Sequence, residues 1–181
     1  MEKYRKITLF TAVLVLALAS IAAGFYTIRT QMKGEYEVPV AVDTEARGNA
    51  IFRVSADGTE IFYKLVVNKI DNVFMAHIHL ASAGSNGPIV VWLYPGVPNP
   101  PNPSPPASWI EGRFNGKLAE GKITAENLVG PLAGMPLSDL IAALQAGNLY
   151  VNVHTSDFVA PGNTGPGDFP GGEIRGQLHD H

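Results

Sequence analysis

The hydrophobic pattern divides the chain into two unlike parts. Ile7 to Ile28 runs for 22 residues without a charged side chain, and an apolar run of that length allows a helix to cross a hydrocarbon core of about 30 Å. From residue 34 onward, short runs of alternating apolar and polar residues are separated by Gly, Pro, Asn and Asp. The second pattern predicts strands joined by turns, as in a sandwich or barrel.

The N-terminal part, residues 1–33, is predicted to be a signal peptide or a signal anchor. Lys3, Arg5 and Lys6 precede the apolar run, and a basic flank favours an N-terminus that stays in the cytoplasm. Small residues such as Ala19 suit a cleavage site, whereas the length of the run favours an uncleaved anchor. Both alternatives place the rest of the chain outside the cytoplasm, either secreted or held at the membrane by this helix.

The second part, residues 34–178, is predicted to be an all-β, antiparallel β-sandwich with one short helix. The helix is predicted over Leu137–Ala146 because its leucines and isoleucine recur at i, i+3, i+4 and i+7. Residues 179–181, which include His179 and His181, are interpreted as a tail. Eight strands are predicted: Tyr36–Val42, Gly48–Ser55, Glu60–Val67, Val73–Leu80, Ile89–Tyr94, Ile110–Leu118, Leu149–His154 and Glu173–Leu178.

Composition excludes several classes of function. The chain has no cysteine, so it has neither disulfides nor thiolate ligands, and its fold depends on an apolar core. Its net charge is −3 and its cations are scattered, which argues against a nucleic-acid surface. No G-x-S-x-G elbow is present, and the pattern leans away from an enzyme. Two loops, 95–108 and 156–172, are rich in Pro and Gly and are expected to be irregular.

The clearest candidate for chemistry is a pair of histidines in one predicted strand. Residues two apart in a strand face the same side, so His77 and His79 share a face while Ala76 and Ile78 share the other. By the same alternation, Val73 is expected on the histidine face and Phe74 on the apolar face. Two imidazoles spaced this way can reach one metal ion.

A third histidine, His154, follows the same rule on the strand Leu149–His154. Val151 and Val153 form the apolar face of that strand, so His154 points to the opposite side. If the two strands are neighbours, three neutral nitrogen ligands converge, a set that suits copper, or zinc as the second choice. Asp157, Asp168 and Glu173 are candidates for orienting carboxylates. The alternative is that all these side chains make ordinary hydrogen bonds or face solvent without a metal.

Four blocks of this sequence resemble the CHRD family, which is named after the repeated domain of chordin. The blocks are Glu37-Val38-Pro39, His77-Ile78-His79 with the following glycines and Pro88, Tyr150 to Thr155, and Gly172 to Leu178. The resemblance implies an Ig-like or Cu/Zn-superoxide-dismutase-like β-sandwich outside the cytoplasm. The Pro-rich segment 95–108 departs from the family pattern.

Three hypotheses about function follow. The first is a cell-surface binding or structural module that holds one metal ion, copper first, through His77, His79 and His154. The second is a copper redox enzyme with superoxide dismutase-like activity, which needs an open coordination position. The third is a metal-free adhesive domain that contacts a protein partner at the cell surface through its loops.

Overall fold

The computed structural model describes residues 26–95 and 109–179. This part of the chain contains seven antiparallel strands and one α-helix, which confirms the predicted all-β class with a single short helix. Three short 3-10 turns, Gly34–Tyr36, Ala125–Asn127 and Gly130–Leu132, connect them. The strands and helix are β1 (Tyr26–Lys33), β2 (Arg47–Val54), β3 (Ile61–Leu80), β4 (Ile89–Tyr94), β5 (Ile110–Ile123), α1 (Leu137–Gln145), β6 (Leu149–Thr155) and β7 (Ile174–Leu178).

The long strand β3 organises the sheet. Its first half pairs with β2 and β5, and its second half pairs with β6 and β4. Strand β2 continues to β1 and strand β6 continues to β7, and β1 meets β7 at the pair Lys33–Arg175. The seven strands therefore form one sheet that closes on itself, instead of the two separate sheets of a simple sandwich.

The sequence predicted two strands where the structure has the single strand β3. The residues between them include Lys69 and Asn72, whose φ angles are 54° and 53°. Positive φ is uncommon for residues other than glycine, and the pairing of β3 with β5 shifts register on both sides of this stretch. The strand is thus irregular here without ending, and its two halves belong to two parts of the closed sheet.

The apolar faces of both halves of the sheet pack into one core. Phe52 and Leu65 come from the first half, Ile78 and Val151 come from the second, and each is at most 2% exposed. Helix α1 contributes its apolar stripe to the same cluster. The helix ends before Gly147, whose φ of 69° suits the left-handed position after a helix. The predicted helix and its apolar face are confirmed.

The first strand is not where the sequence placed it. Strand β1 occupies Tyr26–Lys33, at the end of the segment assigned to the N-terminal helix, and buries Ile28 and Met32 in the core. The predicted strand Tyr36–Val42 is wrong, because that stretch is a 3-10 turn followed by irregular chain, and Pro39 lacks the N–H that a ladder needs. Ile28 belongs both to the apolar run and to β1, so hydropathy alone did not separate them.

The remaining N-terminal predictions lie outside the described residues. Residues 1–25 hold nearly all of the apolar run, and residues 96–108 hold the Pro-rich loop apart from its first residue. Within 26–95 and 109–179, no helix combines the length and the hydropathy that a membrane span requires.

Candidate metal centre

Strands β3 and β6 are neighbours, and their register brings the three histidines together. His77 pairs with Asn152, His79 with Tyr150, and Met75 with His154. Paired residues project to the same side of a sheet. All three imidazoles therefore stand on the face of this layer that is opposite to Ile78, Val151 and the core.

The three rings are close enough to act as one unit. The ring centroids are 5.6 Å apart for His77 and His79, 4.9 Å for His77 and His154, and 5.8 Å for His79 and His154. One nitrogen from each ring lies within 4.8 Å of the other two. Nitrogens bound to one ion at 2.0–2.1 Å are about 3.3–3.6 Å apart in tetrahedral or trigonal geometry. Side-chain movements that close gaps of up to about 1.5 Å would bring the set around one ion.

This outward face of the layer is covered, so the histidines are buried. His77 is 0% exposed, His79 is 8% exposed and His154 is 6% exposed. The Trp92 ring packs edge-on against the His77 ring, with their centroids 4.1 Å apart, and the Tyr150 ring stacks on the His79 ring, with their centroids 4.7 Å apart. A cluster in this environment is shielded from water and from competing ligands.

Backbone carbonyls fix the orientation of two of the rings. The Nδ1–H of His79 donates to the Gly87 carbonyl at 2.9 Å, and the Nδ1–H of His154 donates to the Pro170 carbonyl at 3.0 Å. A neutral imidazole carries one N–H, so each Nε2 presents a lone pair. Such an Nδ1–H to carbonyl bond is the usual support of a metal-binding histidine.

The ring of His77 is hydrogen-bonded to the ring of His154. The Nδ1–H of His77 donates to Nε2 of His154 at 3.1 Å, because His154 can only accept at that atom. Among the described residues, the Nε2 atoms of His77 and His79 are buried and have no hydrogen-bond partner. Unpaired buried nitrogens cost free energy, and an ion at the centre of the cluster would satisfy them.

The environment keeps these rings uncharged. Burial lowers the pKa of His77 to about 2, with the nearby His154 and His79 acting in the same direction. Burial lowers the pKa of His154 to about 4, and it also lowers the pKa of His79. Metal binding requires the neutral imidazole, so the three rings are in the ligand form at neutral pH.

The three carboxylates predicted as orienting groups bond elsewhere. Glu173 is fully buried, and it accepts hydrogen bonds from Thr44, Thr155 and the Gly167 N–H. Asp168 accepts from Thr164, and Asp157 accepts from the Val159 N–H. Among the described hydrogen bonds, carbonyls orient the histidines, and the carboxylates of 157, 168 and 173 hold the loop that supplies one of those carbonyls.

The predicted alternation holds at residues 76–79 and is wrong at Val73 and Phe74. Val73 belongs to the core cluster, whereas the Phe74 ring contacts the rings of His154 and Phe158. The register between β3 and β6 shifts between residues 73 and 75, and such an irregularity moves the following side chains to the other face. Phe74 thus becomes part of the wall of the histidine cluster.

Sequence reasoning missed two charged residues beside the cluster. Arg175 pairs with Asn152 in the sheet, and its guanidinium carbon lies 3.4 Å from the centre of the Tyr150 ring. Because β6 lies between β3 and β7, the Tyr150 ring stands between Arg175 and His79. The Glu37 carboxylate accepts a hydrogen bond from the Asn152 amide at 3.3 Å. Glu37 lies in the first of the four sequence blocks that resemble the CHRD family and Arg175 lies in the last, and this membership could have indicated a role for both.

The four sequence blocks meet on this one face of the sheet. The first supplies Glu37, the second the pair His77 and His79, the third His154, and the last Arg175. The CHRD domain model matches residues 28–162 of the chain, which is more than half of its 181 residues. No curated protein and no solved structure matches the chain significantly. With its matched length and with the histidine blocks inside it, the chain belongs to the CHRD domain family.

Proposed function

We propose that this CHRD domain is an extracytoplasmic binding or structural module that holds one transition-metal ion through His77, His79 and His154. The observation that carries the proposal is the set of three neutral, buried imidazoles with one nitrogen each within 4.8 Å of the others. CHRD domains are typically extracellular, which agrees with the predicted export of the chain. Attachment to the membrane through the N-terminal segment is part of the same proposal.

The donor set favours copper, with zinc as the second choice. Three imidazole nitrogens without thiolate suit Cu(II) or Zn(II), and hard cations such as Ca²⁺ prefer oxygen ligands. At equal ligands, Cu(II) binds more tightly than Zn(II). The ion would replace the hydrogen bond between His77 and His154, because both interactions use the same lone pair on Nε2 of His154.

The metal-free alternative leaves part of the cluster unexplained. The bond between His77 and His154 satisfies one nitrogen of each ring, but the Nε2 atoms of His77 and His79 stay without partners. An adhesive domain with no ion would need to tolerate this cost in its interior. The geometry therefore supports the metal proposal over the adhesive one.

The direct test is metal binding by the full chain, purified through a tag without histidine. We expect one Cu(II) per chain. A free ion concentration of 100 times Kd stabilises a protein by about 2.7 kcal/mol, which raises Tm by about 5–11 °C at this size. Cu(II) should also quench Trp92, whose ring packs on His77. Absence of bound metal together with an unchanged Tm in Cu(II) and Zn(II) would refute the proposal.

Two sets of variants control this experiment. His79→Gln and His154→Gln remove one ligand each, and we expect each to abolish the Tm shift. The C-terminal His179 and His181 form a second pair that can bind copper independently of the fold. The double variant His179→Ala with His181→Ala should retain the full shift, and loss of binding there would place the ion at the tail.

A copper redox enzyme is the second candidate, because three protein ligands leave a fourth position open. The burial of all three rings limits the access of an oxidant and favours the non-catalytic function. Superoxide turnover by the copper-loaded chain distinguishes the two. A rate that is no faster than that of the His154→Gln variant removes the enzymatic hypothesis.

A further inference from the structure

A groove of about 940 Å³ lies beside the histidine face, where β1, the turn after it and β7 meet. Its lining includes Glu37 and Arg175, which are only 7% and 2% exposed. Charged side chains are almost never buried to this extent unless they are paired, since an unpaired buried charge is costly. How these two charges are compensated therefore bears on what the groove binds.

The contacts that Arg175 makes with described residues are all to neutral groups. Its NH1 donates to the side-chain oxygen of Asn86 at 2.9 Å, its NH2 donates to the Ser85 carbonyl at 2.7 Å, and its plane covers the Tyr150 ring. In the part of the chain that the structure describes, no carboxylate oxygen lies within 4 Å of its nitrogens. The guanidinium charge at the groove has no anionic partner in contact.

Glu37 carries the opposite charge and lines the same groove. One carboxylate oxygen accepts the bond from Asn152, and the other, Oε1, is buried without a partner. Within residues 26–95 and 109–179, no Lys, Arg or His nitrogen lies within 4 Å of this carboxylate. The groove thus holds an anion and a cation that are near enough to influence each other but that do not form an ion pair.

We propose that this groove binds a small zwitterion, with its ammonium group at Glu37 and its carboxylate at Arg175. Such a ligand carries a group of opposite charge for each of these two buried residues. The apolar wall formed by Tyr36, Val38 and Ile51 suits an aliphatic side chain. Free α-amino acids and the termini of short peptides share this chemistry. The proposal does not depend on the metal site.

Isothermal titration calorimetry of the full chain, in EDTA, tests the proposal with matched ligands. Leucine and the dipeptide Leu-Leu each carry both charges, whereas N-acetylleucine lacks the ammonium and leucinamide lacks the carboxylate. We expect at least one zwitterion to bind and both blocked compounds to bind at least tenfold more weakly. Tighter binding of leucine would identify free amino acids as the ligand, and tighter binding of Leu-Leu would identify short peptides. Failure of both zwitterions, or equal binding of a blocked compound, overturns the proposal.

Two variants of glutamate sharpen the test. Glu37→Gln keeps the size and the hydrogen bond of the side chain, and we expect it to weaken the zwitterion at least tenfold. Glu35→Gln changes a groove residue that is paired with Lys33 at the exposed rim, and we expect it to bind as the wild type does. An equal loss in both variants would indicate general electrostatic attraction and overturn the specific pairing.

The affinity should also depend on pH through Glu37. Burial raises the pKa of this carboxyl to about 7 against the lowering effect of Arg175, and Glu173 raises it further. Ionisation therefore rises about tenfold between pH 6 and pH 8, and the affinity for leucine, whose ammonium stays protonated over this range, should rise with it. Of the other groove residues, Glu35 is held ionised because its hydrogen bond from Lys33 lowers the pKa of its carboxyl. The titration uses the His179→Ala background so that no imidazole lines the groove. An affinity that falls or stays flat overturns the assignment of the ammonium to Glu37.

Discussion

The buried carboxyl of Glu37 should make the free protein less stable above neutral pH. Its residue is 7% exposed, and burial raises its pKa from 4.5 to about 7. A group whose pKa is higher in the folded state stabilises the fold below its unfolded pKa, and this contribution is lost as the pH rises through the folded value. The window for Glu37 therefore runs from about pH 4.5 to pH 7.

The size of the effect follows from the shift. One pKa unit corresponds to about 1.36 kcal/mol, so ionised Glu37 costs about 3 kcal/mol of folding free energy above pH 8. Glu37→Gln retains an amide of the same shape without the charge. We expect this variant to be about 3 kcal/mol more stable than the wild type at pH 8.5, equivalent to about 6–12 °C in Tm for a protein of this size.

The assay is urea unfolding of the metal-free protein at several pH values between 5 and 8.5, followed by tryptophan fluorescence. The advantage of the Gln variant should shrink to less than about 1 kcal/mol near pH 5, where Glu37 is protonated in the folded state. Since the wild type and the variant share the histidines, the difference between them isolates Glu37. A Gln variant that is no more stable at pH 8.5, or an advantage independent of pH, would refute the reasoning.

Two further predictions concern packing. Gly172 has a φ of 132°, and a Cβ there would collide with the Asn152 amide. Gly172→Ala should therefore lower the free energy of unfolding, measured in urea, by about 1–3 kcal/mol. The loss should be larger than for Gly134→Ala, which adds the strain of a positive φ but no collision. Ile78 is 1% exposed in the core, and Ile78→Ala should lower the free energy of unfolding by about 2–5 kcal/mol. Val40 is 75% exposed, and Val40→Ala should change this free energy by less than about 0.5 kcal/mol. Equal effects within either pair would contradict the packing described.

The face of each histidine was predictable because it is a local property. Successive side chains in a strand point to opposite sides, so the apolar neighbours Ile78 and Val153 place His77, His79 and His154 away from the core. The same local rule failed at Val73 and Phe74, since an irregularity in β3 changes the alternation and leaves no clear mark in the hydrophobic pattern. The helix α1 was predictable for the same reason, through its period of 3.6 residues.

Partners in space were predictable only in part. The predicted histidine site required β3 and β6 to be neighbours, but the sequence did not show that they are. It also did not indicate that one strand of 20 residues belongs to two parts of the closed sheet or that β1 begins inside the apolar run. Strand pairing brings together residues far apart in the chain, here His77 and His154, which are separated by 77 positions. Hydrophobic periodicity carries no information about such pairings.

By itself, the sequence determined the all-β class, the short helix, the absence of thiol chemistry and the side of the strand on which each histidine stands. Tertiary structure alone decided that this side is buried, that the carbonyls of Gly87 and Pro170 orient the rings, and that Glu37 and Arg175 share a groove beside them. The physical reason is that alternation is set by the geometry of consecutive residues, whereas burial and charge compensation depend on loops and strands that meet only when the sheet closes.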